Sequence, residues 1–212
     1  FPLQLEKSEI KLKGAVILEL STSIFSKWGI DIPEDTDYIE YLQNHYPHNV
    51  YFIDQTPFSS DEKHLQIELL FQEVLEGKVQ KSKFEIYENK FTNILSILWL
   101  YNDVLSSSNI YNVKIKGKHK KIEKILLRNY SQLKKNFKTS SILKINNLKD
   151  LELLVQLGLR NLVFTEFYFS GYEVLVVPSW SCFIIYCHNL ENIKNIEKIV
   201  NVQGLFLRPC KE

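Results

Sequence analysis

Two cysteines and a histidine fall within one short apolar run, where their side chains could form a reactive or metal-binding site. Cys182, Cys187 and His188 lie in the segment VVPSWSCFIIYCHN, residues 176–189. If CFIIYCH is a β-strand, successive side chains alternate between its two faces, so the cysteines point to opposite sides. Cys182 and His188 share a face but stand about 20 Å apart at the rise of a strand. We therefore predict a buried strand without a catalytic residue, entered through a turn at Pro178–Ser179.

The usual sequence signatures of catalysis and cofactor binding are absent from the chain. It contains no G-x-S-x-G elbow, no phosphate-binding loop and no pair of ligand clusters with the spacing of a zinc site. Glu166 and Glu173 each interrupt an apolar strand, and acids in such positions usually mark the solvent face of a sheet. We expect no metal, no cofactor and a protein that is not an enzyme. Catalytic carboxylates dispersed along the chain stay open as an alternative.

Helix and strand signals along the chain predict a single α+β domain, residues 1–212, with a mixed or antiparallel sheet. About five helices are expected from apolar periodicity and capping residues, near 59–77, 90–105, 119–137, 147–157 and 190–200, with Gly158 and Gly204 ending the last two. Strands are expected near 9–20, 141–145, 162–169, 172–177, 182–186 and 205–207. The C-terminal third then forms an α-β-β-β-α-β unit. No linker divides the chain, although SSSN near 106–111 is a candidate for a weak seam.

The composition is that of an ordinary folded protein, with 45% hydrophobic and 24% charged residues. No apolar run is long enough to span a bilayer, and no signal peptide is visible. Three cysteines do not form a disulfide framework in a chain of this length, which favours a reducing, cytoplasmic setting. Methionine is absent even from position 1, so we expect that Phe1 is not the translational start.

Acidic residues are concentrated in one region, although the net charge of the chain is only +1. Residues 31–76 contain eleven acids and one lysine. Five of these acids cluster around Pro33, at the expected start of a helix: Asp31, Glu34, Asp35, Asp37 and Glu40. Such a patch suits a basic protein partner. Acids at a helix start also interact favourably with the helix dipole, which is a sufficient structural reason without any partner.

Basic residues are concentrated in a second region, residues 114–138, which contains ten Lys or Arg and one acid. Four of them recur at helical spacing opposite the apolar face: Lys121, Lys124, Arg128 and Lys135. This stripe suits a phosphate backbone, and it equally suits solvent if the acidic region folds near it. Aromatic residues for base stacking are not interleaved with the lysines, since Tyr130 and Phe137 fall on the apolar face. Nucleic-acid binding or processing is therefore the alternative function.

The segment YEVLVVPSWSCFIIYCHNLENIKNIEKIVNVQGLFLRP resembles the tails of small bacterial immunity proteins. These proteins neutralise polymorphic or contact-dependent-inhibition toxins, and several end in an acid-bearing strand, an apolar strand, a short helix and a GLF/YLR-like strand. The resemblance covers residues 165–208. It implies a cytosolic, non-enzymatic protein that covers a toxin surface by charge complementarity. Our leading hypothesis is a protein-binding domain in which the five acids around Pro33 contact a basic toxin domain.

Overall fold

A seven-stranded antiparallel sheet forms the centre of the fold. The structure, a computed structural model, describes residues 19–57, 73, 81–113, 127–179 and 182–210. The strands lie in the order β3-β2-β4-β5-β6-β1-β7, and all neighbours are antiparallel. Their bounds are β1 Val50–Asp54, β2 Val104–Ser108, β3 Ile142–Lys144, β4 Thr165–Phe169, β5 Val174–Ser179, β6 Cys182–Cys187 and β7 Phe206–Pro209.

Helices cover both faces of this sheet, which confirms the α+β class. Within the described residues they are α1 Glu19–Lys27, α2 Tyr38–His45, α3 Lys81–Leu100, α4 Leu127–Thr139, α5 Leu148–Leu159 and α6 Ile193–Val202. We call face A the side of the sheet that packs with α3, α4, α5 and α6, and face B the side that packs with α1 and α2. Strand side chains alternate between the two faces, so β1 to β6 contribute to two separate cores, and the edge strand β7 packs with Leu207 on face A.

The C-terminal α-β-β-β-α-β unit is confirmed as α5-β4-β5-β6-α6-β7. A short 3-10 helix, Leu190–Asn192, precedes α6, and Gly204 follows α6 with a left-handed φ of 67°. The last strand pairs with β1 rather than with its neighbours in sequence. Gly158 does not end α5. It lies in the last turn of that helix, where an added Cβ would stand 2.8 Å from Pro178 Cβ, so glycine lets the helix approach the sheet closely.

The predicted break at Pro178 is wrong, because Pro178 lies within β5 opposite Phe183 of β6. The pairing of β4 with β5 ends at Val176, so the missing N–H of Pro178 costs no bond to β4. The connection between β5 and β6 is at residues 180–181, outside the described residues.

The region after α3 also differs from its prediction. The helix ends at Leu100 instead of 105, and residues 104–108 form β2, between β3 and β4. Residues 106–111, the candidate seam, thus lie in β2 and in a 3-10 helix, Asn109–Tyr111. Two buried serine hydroxyls of β2 have hydrogen-bond partners, since Ser106 donates to the Glu166 carbonyl and Ser108 bonds Thr165. The helix expected at 59–77 falls outside the described residues, apart from Glu73, which is helical. The strand expected at 9–20 lies outside them up to residue 18, and its last two positions are wrong, because Glu19 and Leu20 begin α1.

Candidate functional site

Five exposed carboxylates mark the connection between α1 and α2. Asp31, Glu34, Asp35 and Asp37 lie in the connecting loop, and Glu40 lies in the first turn of α2. We call these five residues the acidic surface. None of them forms an ion pair with another residue in the part of the chain that the structure describes. The loop therefore presents to solvent negative charge that no described cation pairs with.

The local structure of this loop follows from its sequence. Asp37 is the N-cap of α2, and its Oδ1 accepts the N–H groups of Ile39 at 2.9 Å and Glu40 at 3.2 Å. This confirms the expected helix start, and it gives Asp37 a structural role that needs no partner. Asp35 has a left-handed φ of 61°, a conformation that aspartate tolerates better than most residues. Asp35 and Asp37 thus have a role in the local backbone structure, which the other acids of the acidic surface do not share among the described contacts.

Aromatic packing on face B fixes both ends of the loop. Phe25 of α1 packs against Tyr38 at the start of α2, with ring centroids 5.9 Å apart, and against Tyr186 of β6 at 5.7 Å. Trp28 follows α1 and stacks on His188 at 4.6 Å, with the two rings nearly parallel. Burial of such large rings contributes roughly 1.5–3 kcal/mol each. The acidic surface is consequently carried by two helices that dock on the sheet.

A buried carboxyl group lies beneath these two helices. Glu166 of β4 points to face B and is fully buried. Its Oε1 accepts the hydroxyl of Tyr38 at 2.6 Å, and its Oε2 accepts the backbone N–H of Ser21 at 3.2 Å. Ser21 lies in the first turn of α1, where N–H groups have no partner within the helix and carry partial positive charge. Glu166 therefore binds both α1 and α2.

Burial raises the pKa of Glu166 from 4.5 to about 7, and the hydrogen bonds from Tyr38 and Ser21 oppose that rise. A cation beside Glu166 would lower its pKa further, but no described residue supplies one. The same burial and the neighbouring Glu166 raise the pKa of Tyr38 well above its usual range. Both groups are thus held in a network of hydrogen bonds in which no described side chain is positive.

The expectation that Glu166 faces solvent is wrong, because helices cover both faces of the sheet. A signal was present in the sequence: Glu166 lies within LVFTEFYF, which is apolar on both alternating faces, as in a strand buried on both sides. Nothing in the sequence identified Tyr38 and Ser21 as its partners. Glu173 is half-buried in the turn between β4 and β5, where its φ is 52°.

The cysteines are separated as the alternation predicts. Cys187 packs in the core of face A, whereas Cys182 is in step with Ile184 and Tyr186 of face B. Burial raises the pKa of each thiol to about 12, so neither forms a thiolate readily. Elsewhere among the described residues, no three His, Cys, Asp or Glu side chains come together as they would around a metal ion. A cavity of about 10 Å³ borders Tyr38, which is no more than a water molecule needs.

The basic stripe lies largely outside the part of the chain that the structure describes. Lys121 and Lys124 are outside the described residues, and Arg128 lies in α4 with its side chain outside them. Lys135 is exposed on α4. Its neighbour Lys134 instead donates to the carbonyl of Val113 at 2.6 Å, which is a structural contact. The structure therefore places one of the four stripe residues on the surface.

No protein-family model, curated protein or solved structure matches this chain. None of the described helices combines the length and the apolar character that crossing a membrane requires.

Proposed function

We propose that this chain is a non-catalytic protein-binding domain whose acidic surface contacts a basic protein. The observation that carries the proposal is the arrangement of the loop between α1 and α2. The loop holds four exposed carboxylates, the fifth follows in the first turn of α2, and both flanking helices are docked on face B. Keeping like charges together is unfavourable for the free protein, and no cation of the described residues pairs with them. A partner that supplies the cations removes that cost.

Structural roles account for only part of this charge. Within the described residues, Asp37 is the member of the acidic surface whose side chain accepts hydrogen bonds, and it does so as the cap of α2. Asp31, Glu34 and Glu40 make no such contact with another described residue. Charge at the edge of an interface accelerates encounter and excludes wrong partners more than it adds affinity. The surface is thus suited to fast and selective recognition of a basic protein.

The partner in this proposal is a basic toxin domain, and the chain acts in the cytoplasm as an immunity or antitoxin-like protein. The resemblance of residues 165–208 to immunity-protein tails supports this choice, and so does the separation of acidic from basic residues along the chain. The resembling segment includes β4, whose Glu166 binds α1 and α2. The segment that carries the resemblance therefore also carries the residue that binds the two helices beside the acidic surface.

Affinity capture from the native host tests the proposal. The test variant neutralises four acids isosterically, D31N/E34Q/D35N/E40Q, and leaves the cap residue Asp37 in place. The control variant, E191Q/E197Q, removes two exposed acids near and within α6. We expect the wild type and the control to retain a stoichiometric basic protein that the test variant loses. Equal capture by all three proteins, or no stoichiometric partner, contradicts the proposal.

A salt titration of the wild type and of K121E/K124E tests the alternative function. That alternative is nucleic-acid binding through Lys121, Lys124, Arg128 and Lys135. Binding of short RNA or DNA at low salt that weakens steeply as salt rises, and that is lost in K121E/K124E, would favour the alternative. Unmeasurable binding at low salt would exclude it.

A further inference from the structure

We propose that Glu166 is a proton-responsive anchor that holds α1 and α2 on face B and thereby positions the acidic surface. The anchoring of the two helices stands on geometry alone. Its consequence for partner binding rests on the proposed function. Glu166 is a positioning residue in this account, because it is fully buried and cannot touch a partner.

The side chain of Glu166 forms hydrogen bonds to both α1 and α2. Its two carboxyl oxygens accept separate donors, the Tyr38 hydroxyl at 2.6 Å and the Ser21 N–H at 3.2 Å. Tyr38 is the first residue of α2, directly after the cap Asp37, and Ser21 is in the first turn of α1. While the helices stay docked, losing the carboxyl group would leave a buried N–H and a buried hydroxyl without this acceptor, which is unfavourable.

The surroundings of Glu166 offer no charge compensation within the described residues. On β2 its register partner is Ser107, a neutral residue. On α1 the charged group of the first turn is Glu19, which accepts a hydrogen bond from Ser141. On α2 the charged groups of the first turn and its cap are Asp37 and Glu40. All of these charges are negative, so none of them compensates an ionised Glu166.

Protonation keeps both links while it removes the buried charge. A protonated Oε1 can donate to the Tyr38 oxygen, because a phenol hydroxyl both donates and accepts, and Oε2 still accepts from Ser21. The glutamine of an E166Q variant can do the same, since its amide N–H₂ donates to Tyr38 and its carbonyl accepts from Ser21. E166Q thus imitates the protonated form at every pH.

The direction of the pH effect follows from the raised pKa. The anchored carboxyl group titrates at about 7, and the same group in water titrates at 4.5. Between these values the anchored state holds a proton that the released state has lost. Lowering the pH from 8 to 6 therefore stabilises the anchored helices, and the stabilisation is lost as the pH rises through 7. The equilibrium constant for release is expected to fall about tenfold over that interval.

Hydrogen exchange tests the anchor directly. Protection factors of the α1 and α2 amides, corrected for intrinsic exchange, are measured at pH 6 and pH 8 in the wild type and in E166Q. We expect about a tenfold increase on lowering the pH in the wild type and no increase in E166Q. His45 on α2 and His188 beside Trp28 are unchanged in E166Q, so an effect of the imidazoles would persist there. A pH response that is equal in both proteins, or absent from the wild type, overturns the proposal.

A second variant keeps the test informative if E166Q does not fold. Y38F removes a hydrogen bond that lowers the pKa of Glu166, so its pH response is expected to move to higher pH. An unchanged midpoint in Y38F would count against the anchor.

The binding consequence uses a lysine decapeptide as a basic probe. Wild-type affinity is expected to be higher at pH 6 than at pH 8, by up to about tenfold, because only the anchored state presents the intact surface. E166Q is expected to show no such change, and D31N/E34Q/D35N/E40Q to bind weakly at both pH values. If the wild type does not bind the probe, the proposed function fails, and hydrogen exchange still decides on the anchor.

Discussion

Two buried glutamates, one among the helices of face A and one beneath those of face B, are stabilised by different means. Glu88 of α3 is 2% exposed, and its carboxylate accepts two hydrogen bonds from Arg160 at the end of α5, at 2.5 and 2.7 Å. Glu166 of β4 is 0% exposed and accepts from the neutral donors Tyr38 and Ser21. A positive side chain balances the charge of Glu88, whereas the described partners of Glu166 are neutral hydrogen-bond donors.

The contact of Glu88 with Arg160 is expected to keep its charges at any ordinary pH, whereas the charge of Glu166 is expected to change with pH. Arginine remains protonated at any ordinary pH, so the guanidinium of Arg160 always supplies a positive charge between α3 and α5. The donors to Glu166 carry no charge, and its burial raises its pKa to about 7. A modest change of pH consequently acts on the helices that carry the acidic surface and leaves the positive charge on face A in place.

The largest effect is expected from breaking the charged pair. Arg160→Met leaves the buried carboxylate of Glu88 without its cation, and breaking such a pair typically costs about 3–5 kcal/mol. Urea unfolding of the wild type and the variant measures the loss. The double variant E88L/R160M removes both charges and is expected to recover most of the stability. A double variant as unstable as the single one would show that packing, and not charge, dominates at this site.

A smaller effect is expected on face B. Tyr38→Phe removes one donor to Glu166, and at pH 8 we expect a loss of about 1–3 kcal/mol of unfolding free energy. Tyr41→Phe on the same helix is the matched control, since the Tyr41 ring stacks on His45 and its hydroxyl has no described hydrogen bond. Unfolding in urea at pH 8 compares the two. Equal losses in both variants would argue against a specific role for the Tyr38 hydroxyl.

Much of the fold was accessible from the sequence where local signals agree with the tertiary structure. The helix over 148–159, the strands over 165–187 and the helix over 193–202 all follow apolar periodicity and capping residues. β2 was missed because VLSSS has little hydrophobicity, and its serines are satisfied by partners about 60 residues away in the chain. β1 was missed because VYFID is only five residues long, although Pro47 and Asn49 form a turn directly before it.

Only part of the candidate site could be predicted from the sequence. Exposed charge is visible in a sequence, and the acids from Asp31 to Glu40 are indeed on the surface. What holds them there depends on contacts between residues more than 120 positions apart, from Glu166 to Tyr38 and Ser21. An acid in a strand is ordinarily on the solvent face, and only the presence of helices on both faces reverses that inference for Glu166.

The most direct measurement is the titration of the Glu166 carboxyl group itself. Carbon-13 NMR of protein labelled at glutamate side chains follows each carboxyl carbon with pH, and the signal missing from E166Q identifies residue 166. The account predicts a titration midpoint for Glu166 at about 7. A midpoint at the ordinary 4.5 would contradict the anchor, because the carboxyl group would then be hydrated or paired with a cation.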